Sequence, residues 1–376
     1  MIRKWVCVVI CFIYLIGCSQ RIPLEKVSLI LLIALDRTTN GDMKVGISIP
    51  LFHKEKQQST VEQWVRASTV YNGFSKLDTK LTGYVTSSKA EVILIGKKLA
   101  LEKNWMRALD SSYRDPYATN NAKVVLVDGA VEEVFKVKGP GNQSLSSYIN
   151  SVVESSIQNN QSISSSIQQL MREKNEQGMT QSIPIIKKNK NEIDTVGIAF
   201  LNHQGKYLTK LQKKDVKLFN LIKKAKNSGR MILHLNIPAK NDTQKDNASI
   251  LVQSTKRKIS VDFKEDTFLF NIDISMDVSI IEKTNVNFTN SRLYNNKNIR
   301  NLEYVIQQKF NKKLKNMLQE MQNNKIDPIG LSLYARAFQY KEWKKINQED
   351  WLKVLSKSNI KINTNVKIKN TGTIRD

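Results

Sequence analysis

The sequence predicts a multi-domain protein of α+β or mixed α/β class, with mixed sheets and packed helices, preceded by a lipoprotein signal peptide. Three observations carry that prediction. Apolar runs of strand length alternate with segments of helical period through the first half of the chain, which argues for helices layered on one sheet. Two long period-two segments, a long amphipathic helix and a returning strand fill the second half. The first 17 residues have the charge and hydropathy of an export leader.

In that leader, Arg3 and Lys4 are followed by an uncharged apolar run over 5–16. A run of about a dozen residues is shorter than the roughly 20 needed to span a bilayer. It ends in Leu15-Ile16-Gly17-Cys18, the lipobox pattern. The expectation is cleavage before Cys18, with a diacylglycerol on its sulfur and an N-acyl chain on its amine. Cys7 and Cys11 leave with 1–17, so Cys18 is the only mature cysteine. That excludes an internal disulfide and a cysteine metal site. His53, His203 and His234 are dispersed without ligand spacing, and no cofactor or metal is expected beyond the lipid.

Residues 27–35 form a near-continuous apolar run ending at Asp36, predicting a strand buried on both faces at the centre of a sheet. Asn40-Gly41 separates it from an extended stretch at 43–52 and marks a hairpin. Residues 53–63 read as a polar connection, and Val65, Val70, Phe74, Leu77 and Leu81 predict a helix over 64–81 with Gly73 weakening its centre. A short buried strand follows at 91–96. A helix then presents Leu99, Trp105, Met106 and Leu109 on one face, and Pro116 stops it. Residues 123–127 predict a strand and 129–135 the start of a helix. The Ser/Gln/Asn-rich stretch at 142–170 reads as two amphipathic helices, because Leu145, Ile149, Val152, Val153 and then Ile163, Ile167 and Leu170 recur at three and four.

The lysine-rich stretch at 187–192 is where a domain boundary is placed. It gives a mixed α/β domain over 18–188 and an α+β region over 189–376, with a further split near 245 left open. In the second region a hairpin is predicted over 195–208, a helix over 214–226 and a strand over 231–237. Long strands follow at 250–263 and 267–282, where Phe268, Phe270, Ile272, Ile274 and Met276 alternate. A long amphipathic helix covers 298–322, Asp327-Pro328-Ile329-Gly330 breaks it, and a second helix runs over 331–340. Trp343 and the 347–351 segment lead to a last strand at 360–368.

The chemistry-bearing motifs are missing: no G-x-S-x-G, H-E-x-x-H, phosphate loop or dinucleotide fingerprint occurs. Glu132 with Glu133, or Asp194 with Asp215, read as solvated charges, and the serines at 162–166 have no accompanying base. An enzyme is not expected. The net charge of +25 fits an anionic membrane surface beside a lipid anchor, or a Lys/Asn-biased composition. No aromatic–basic nucleic-acid pattern accompanies it, so no nucleic acid is expected. Arg114-Asp115-Pro116 combines turn chemistry with a guanidinium, and reads either as a structural staple or as a partner-docking corner.

Several of these features together resemble the Ger(x)C spore-germination lipoproteins. They are the lipobox, the strand ending in Asp36, SSKAEVILIGKKLA at 87–100, Arg114-Asp115-Pro116, Pro184-Ile185-Ile186, VGIAFLNHQGKYLTKL at 196–211, Asp327-Pro328-Ile329-Gly330, Trp343 and KINTNVKIKNTG at 361–372. Ser19-Gln20 departs from the Trp-Asp common after the family's lipid cysteine. The resemblance implies a non-enzymatic C subunit of a nutrient germinant receptor, lipid-anchored on the outer face of the spore inner membrane beside polytopic A and B subunits. A solute-binding lipoprotein serving a transporter is the alternative.

Overall fold

A computed structural model describes residues 27–51, 59–81, 83–224, 230–238, 245–283, 296–347 and 350–370. The expected leader, Cys18 and His53 lie outside the described residues.

The first part of the chain runs β1 (Val27–Leu29), β2 (Leu32–Arg37), β3 (Met43–Leu51), β4 (Ser59–Ala67), α1 (Val70–Asp78), β5 (Tyr84–Thr86), β6 (Val92–Gly96), α2 (Lys97–Ala100) and α3 (Asp110–Arg114). It continues through β7 (Lys123–Val127), α4 (Val131–Phe135), α5 (Leu145–Gln158), α6 (Ile167–Asn175), β8 (Gln181–Asn189), β9 (Glu192–Leu201), β10 (Tyr207–Gln212) and α7 (Lys213–Lys223). An eight-stranded mixed sheet takes the order β10-β9-β8-β7-β6-β2-β3-β4. Its centre, β8-β7-β6-β2, is parallel, and antiparallel hairpins close both sides.

The apolar runs are continuous because both faces of this sheet are covered. Alternate residues feed opposite cores. Ile33, Leu35, Ile93 and Ile95 pack with Leu77, Trp105 and Leu170 on one side. Leu32, Ala34, Val92 and Leu94 pack with Val131, Leu145 and Ile149 on the other.

The second part contains β11 (Met231–Pro238), β12 (Lys245–Lys264), β13 (Thr267–Lys283), α8 (Asn296–Asn323), α9 (Leu331–Phe338), α10 (Tyr340–Trp343), α11 (Trp351–Lys357) and β14 (Asn359–Asn370). The four strands form a sheet in that order, with β13 and β14 parallel. Glu265 and Asp266, both at positive φ, make the two-residue turn between the long strands. Phe268, Phe270, Ile272, Ile274 and Met276 project from one face of β13 into a core shared with Phe219 of α7, Phe310 and Leu314 of α8, and Trp351 of α11.

The fold class agrees with the sequence, but four local expectations do not. The run at 27–35 is split: Ile30 N–H donates to Thr86 O and Leu31 N–H to Ser48 O. The chain thereby steps from a two-stranded parallel pair, β1–β5, into the large sheet. The residues around Trp64 form edge strand β4 instead of a helix, since the Trp64 ring packs over Gly46 on the neighbouring strand, where a Cβ would sit 2.5 Å from it. The helix expected through 99–113 is interrupted at Asn104, whose φ is +58 and whose N–H donates to Gln204 O. The 347–351 connector leads into α11, an added helix that seats Trp351. Separately from these four, the lysine-rich stretch at 187–192 spans the turn of the β8–β9 hairpin.

Gly178 bears on that Trp351 seat. It has φ +83, and a Cβ there would lie 2.2 Å from Trp351 Cδ1. Gly178→Ala combines backbone strain with overpacking and is expected to lower the unfolding free energy by about 2 kcal/mol or more. A urea titration with an unchanged slope and a lowered midpoint is the expected result.

Candidate functional site

The predicted corner at Arg114-Asp115-Pro116 follows α3 directly. Pro116 cannot continue the helix and biases Asp115 towards extended backbone. Asp115 is turned inward along the surface: one carboxylate oxygen accepts from Tyr117 N–H at 2.9 Å and the other from Tyr71 O–H at 3.1 Å. Tyr71 lies on α1, which is N-capped by Thr69 accepting from Asn72 N–H. Gly73 lets this helix approach Val45 closely. Burial and the Asp115 carboxylate both raise the Tyr71 phenol above its usual pKa, so it remains a donor near neutral pH.

α1 is tied in turn to β5, because Asp78 accepts from Val85 N–H at 2.8 Å. Tyr84 at the head of β5 stands opposite Val27, the first residue of β1. Arg114 is 80% exposed and donates through Nε to Asp110, one turn back at 2.6 Å. That is a single contact along its own helix and not the bidentate pairing its geometry permits. The corner therefore unites Asp115 with Tyr71 and leaves the Arg114 side chain on the surface. Tyr71, Tyr84, Tyr113 and Tyr117 are all exposed around it. The sequence reading missed them, although four of the eleven tyrosines fall between 71 and 117.

At the carboxyl ends of the parallel strands, where open α/β sheets commonly place ligands, the structure holds ion pairs. Asp128 accepts from Lys97 at 2.8 Å and Lys210 at 3.0 Å, and Glu132 pairs with Lys44. Asp36 is buried against Gly96, where a Cβ would lie 2.0 Å from its carboxyl carbon, and burial pushes its pKa up. The Lys97 hydrogen bond, opposed by burial and aided by Lys210, holds the Asp128 pKa below the usual carboxylate range. A depressed folded pKa gives stability that is present above the unfolded value near 3.9 and lost as pH falls through the folded value. Asp128→Asn is accordingly expected to flatten part of the acid limb of the stability profile, measured by urea midpoints between neutral pH and the acid transition.

A second feature is a cleft of about 310 Å³ lined by Lys217, Arg230, His234, Ser249 and Glu282, among others. His234, Ser249 and Glu282 form a cross-strand row over β11, β12 and β13. Ser249 Oγ lies 2.9 Å from His234 Nδ1 and donates to Glu282 at 3.1 Å. The carboxylate thus orients the hydroxyl and not the imidazole, which is not the arrangement of a nucleophilic triad. Among the described residues no cluster of His, Cys, Asp and Glu is set to hold a metal. No helix among them is long and apolar enough to cross a membrane.

Asp327, just ahead of α9, is a buried carboxylate. Its carboxylate accepts from Gly330, Leu331 and Ser332 N–H at 2.8–2.9 Å and from Trp351 Nε1 at 3.2 Å. Burial raises its pKa against the pull of these donors. Its backbone exchanges two further bonds with Thr180, joining the segment before β8 to the start of α9.

Residues 20–188 match the family model described as the spore germination protein N-terminal domain, and residues 196–372 match that described as spore germination B3/GerAC like, C-terminal. A curated relative, the spore germination protein GerQC of Bacillus cereus, is 20% identical over 370 residues, covering 98% of this chain and 99% of the relative. The crystal structure of the GerBC protein superposes with a TM-score of 0.57 at 17% identity, covering 90% of this chain and 97% of that one. The structural likeness concerns the fold.

Proposed function

The chain belongs to the GerAC family of spore germination proteins, and from that membership we propose that it is the lipid-anchored C subunit of a nutrient germinant receptor. The observation that carries this reading is the match of both family models in order over nearly the whole chain. The lipobox at Cys18 supports anchoring by diacylglycerol and N-acyl chains on the outer face of the spore inner membrane. The polytopic A and B receptor subunits are the proposed partners, with the anionic membrane surface as a further contact. Function through association and not catalysis fits the paired charges at the sheet's carboxyl ends and the misordered His234–Ser249–Glu282 row. A tether also raises the effective concentration of the subunit for membrane partners.

Crosslinking in spore inner membranes is expected to capture a polytopic receptor subunit, and deletion to abolish the response to one nutrient class while growth continues. Micromolar binding of a free amino acid or sugar together with copurification of a transporter permease would overturn this in favour of a solute-binding lipoprotein.

A further inference from the structure

We propose that the tyrosine-bearing corner formed by α1, the head of β5 and the turn after α3 is the face that lies on the bilayer, with Tyr84 and Tyr117 seated among the headgroups of an anionic phospholipid surface. The proposal rests on the lipid-anchor reading above and adds to it an orientation.

The first argument is reach. Cys18 precedes Val27 by nine residues, and nine residues span at most about 30 Å when fully extended. Val27 opens β1, and its register partner is Tyr84. The first described residue therefore lies opposite Tyr84, and the surface around it is within about 30 Å of chain from a lipid on Cys18. Tyr71 connects this surface to the corner through its hydrogen bond to Asp115, and Tyr117 donates to the same carboxylate through its backbone.

The second argument is side-chain chemistry. Tyr84 is 56% exposed and Tyr117 76% exposed. Tyrosine combines an apolar ring with a polar tip and concentrates where hydrocarbon meets headgroups. The carboxylates at the corner already have donors: Asp115 has Tyr71 and Tyr117, Asp110 has Arg114, and Asp78 has Val85 N–H. Lys76 on α1, Lys80 just after it and Lys89 just after β5 are exposed and basic, and each lysine near an anionic leaflet adds up to roughly 1 kcal/mol. The other exposed aromatic pair, Phe338 and Tyr340, stacks on Tyr334 and Trp343 in the layer that packs against β12. It lacks this link to the first described residue and serves as the control.

Because Cys18 is the only cysteine of the mature chain, a fluorophore can be placed singly. The full chain would be expressed with its own leader in a host that lipidates it, and mass spectrometry would first establish the lipid on Cys18. Tyr84→Cys, Tyr117→Cys and Tyr340→Cys variants, each labelled and reconstituted in vesicles containing phosphatidylglycerol, would then be exposed to lipids carrying quenchers at headgroup depth. The expected result is several-fold stronger quenching at positions 84 and 117 than at 340, with melting temperatures equal to wild type. Equal quenching at all three positions, or stronger quenching at 340, overturns the orientation while leaving the anchor intact. Shielding of 84 and 117 only when a polytopic partner is present makes the corner a protein-docking face and also overturns it. A chain recovered without lipid removes the anchor reading and this proposal with it, and the mass measurement separates that failure from the others.

Discussion

Asp327→Ala is expected to lower the unfolding free energy by roughly 3–5 kcal/mol, because it leaves several buried donors without an acceptor. The reason lies in what remains after truncation. Gly330, Leu331 and Ser332 supply N–H groups at the first turn of α9, where a helix has no internal acceptors. All three point at this carboxylate, together with the Trp351 indole. Asp327 is 1% exposed, so water does not take over the lost bonds without opening the core. Each buried donor left unpaired costs about 1–3 kcal/mol, although the four share one site and their losses do not add fully.

The effect should also reach across the chain. Thr180 bonds to the Asp327 backbone, Gln177 donates to Ile346 O at 3.1 Å, and Glu176 pairs with Arg336 at 2.9 Å. The segment ahead of β8 is thus fastened to α9 and the helices beyond it. Gly178→Ala disturbs the same Trp351 ring at Cδ1, Cγ and Nε1. The double variant with Asp327→Ala should therefore lose less than the sum of the two single losses. Urea denaturation of both single variants and the double variant checks this. A loss for Asp327→Ala no greater than that of an exposed ion pair, under about 1 kcal/mol, would show that this carboxylate does not hold the junction.

The fold was legible where burial imposes a period on the sequence. β2, β6 and β7 are covered on both faces and read as apolar runs, and β13 faces its core with every second residue from Phe268 to Met276. Edge positions were less legible. β4 is bordered by one strand, and its buried Val65 and Ala67 alternate with polar residues too briefly to outweigh a helical pattern that continues into α1. The break at Asn104 was hidden because its partner is Gln204 O, one hundred positions away.

The sites divide in the same manner. Turn chemistry marked Arg114-Asp115-Pro116, and Asp327-Pro328-Ile329-Gly330 stood out as a helix break. What each carboxylate does depends on Tyr71 in one case and Trp351 in the other, contacts that no local pattern encodes. The row of His234, Ser249 and Glu282 was equally invisible, since strand register alone aligns the three.

Cys18→Ala is expected to abolish incorporation of labelled palmitate and to leave a precursor that retains residues 1–17. Lipid transfer requires the thiol, and cleavage before position 18 follows it, so one substitution should block both steps. The energetic consequence is large. Acyl chains contribute about 0.8 kcal/mol per buried CH₂; one chain binds only marginally and reversibly, whereas two or more anchor stably. The described residues offer no apolar helix to substitute for that anchor. A chain beginning at Ser19 should therefore leave the membrane fraction, retaining only the weak, salt-sensitive attraction of a strongly basic body for an anionic surface. The Cys18→Ala precursor and the Ser19 chain separate the two supports. The Cys18→Ala precursor keeps the apolar run at 5–16 and can remain loosely held by it, so label and mass, not sedimentation, decide its state. Equal palmitate labelling of wild type and Cys18→Ala, or full membrane retention of the Ser19 chain in high salt, would place the anchor somewhere other than this sulfur.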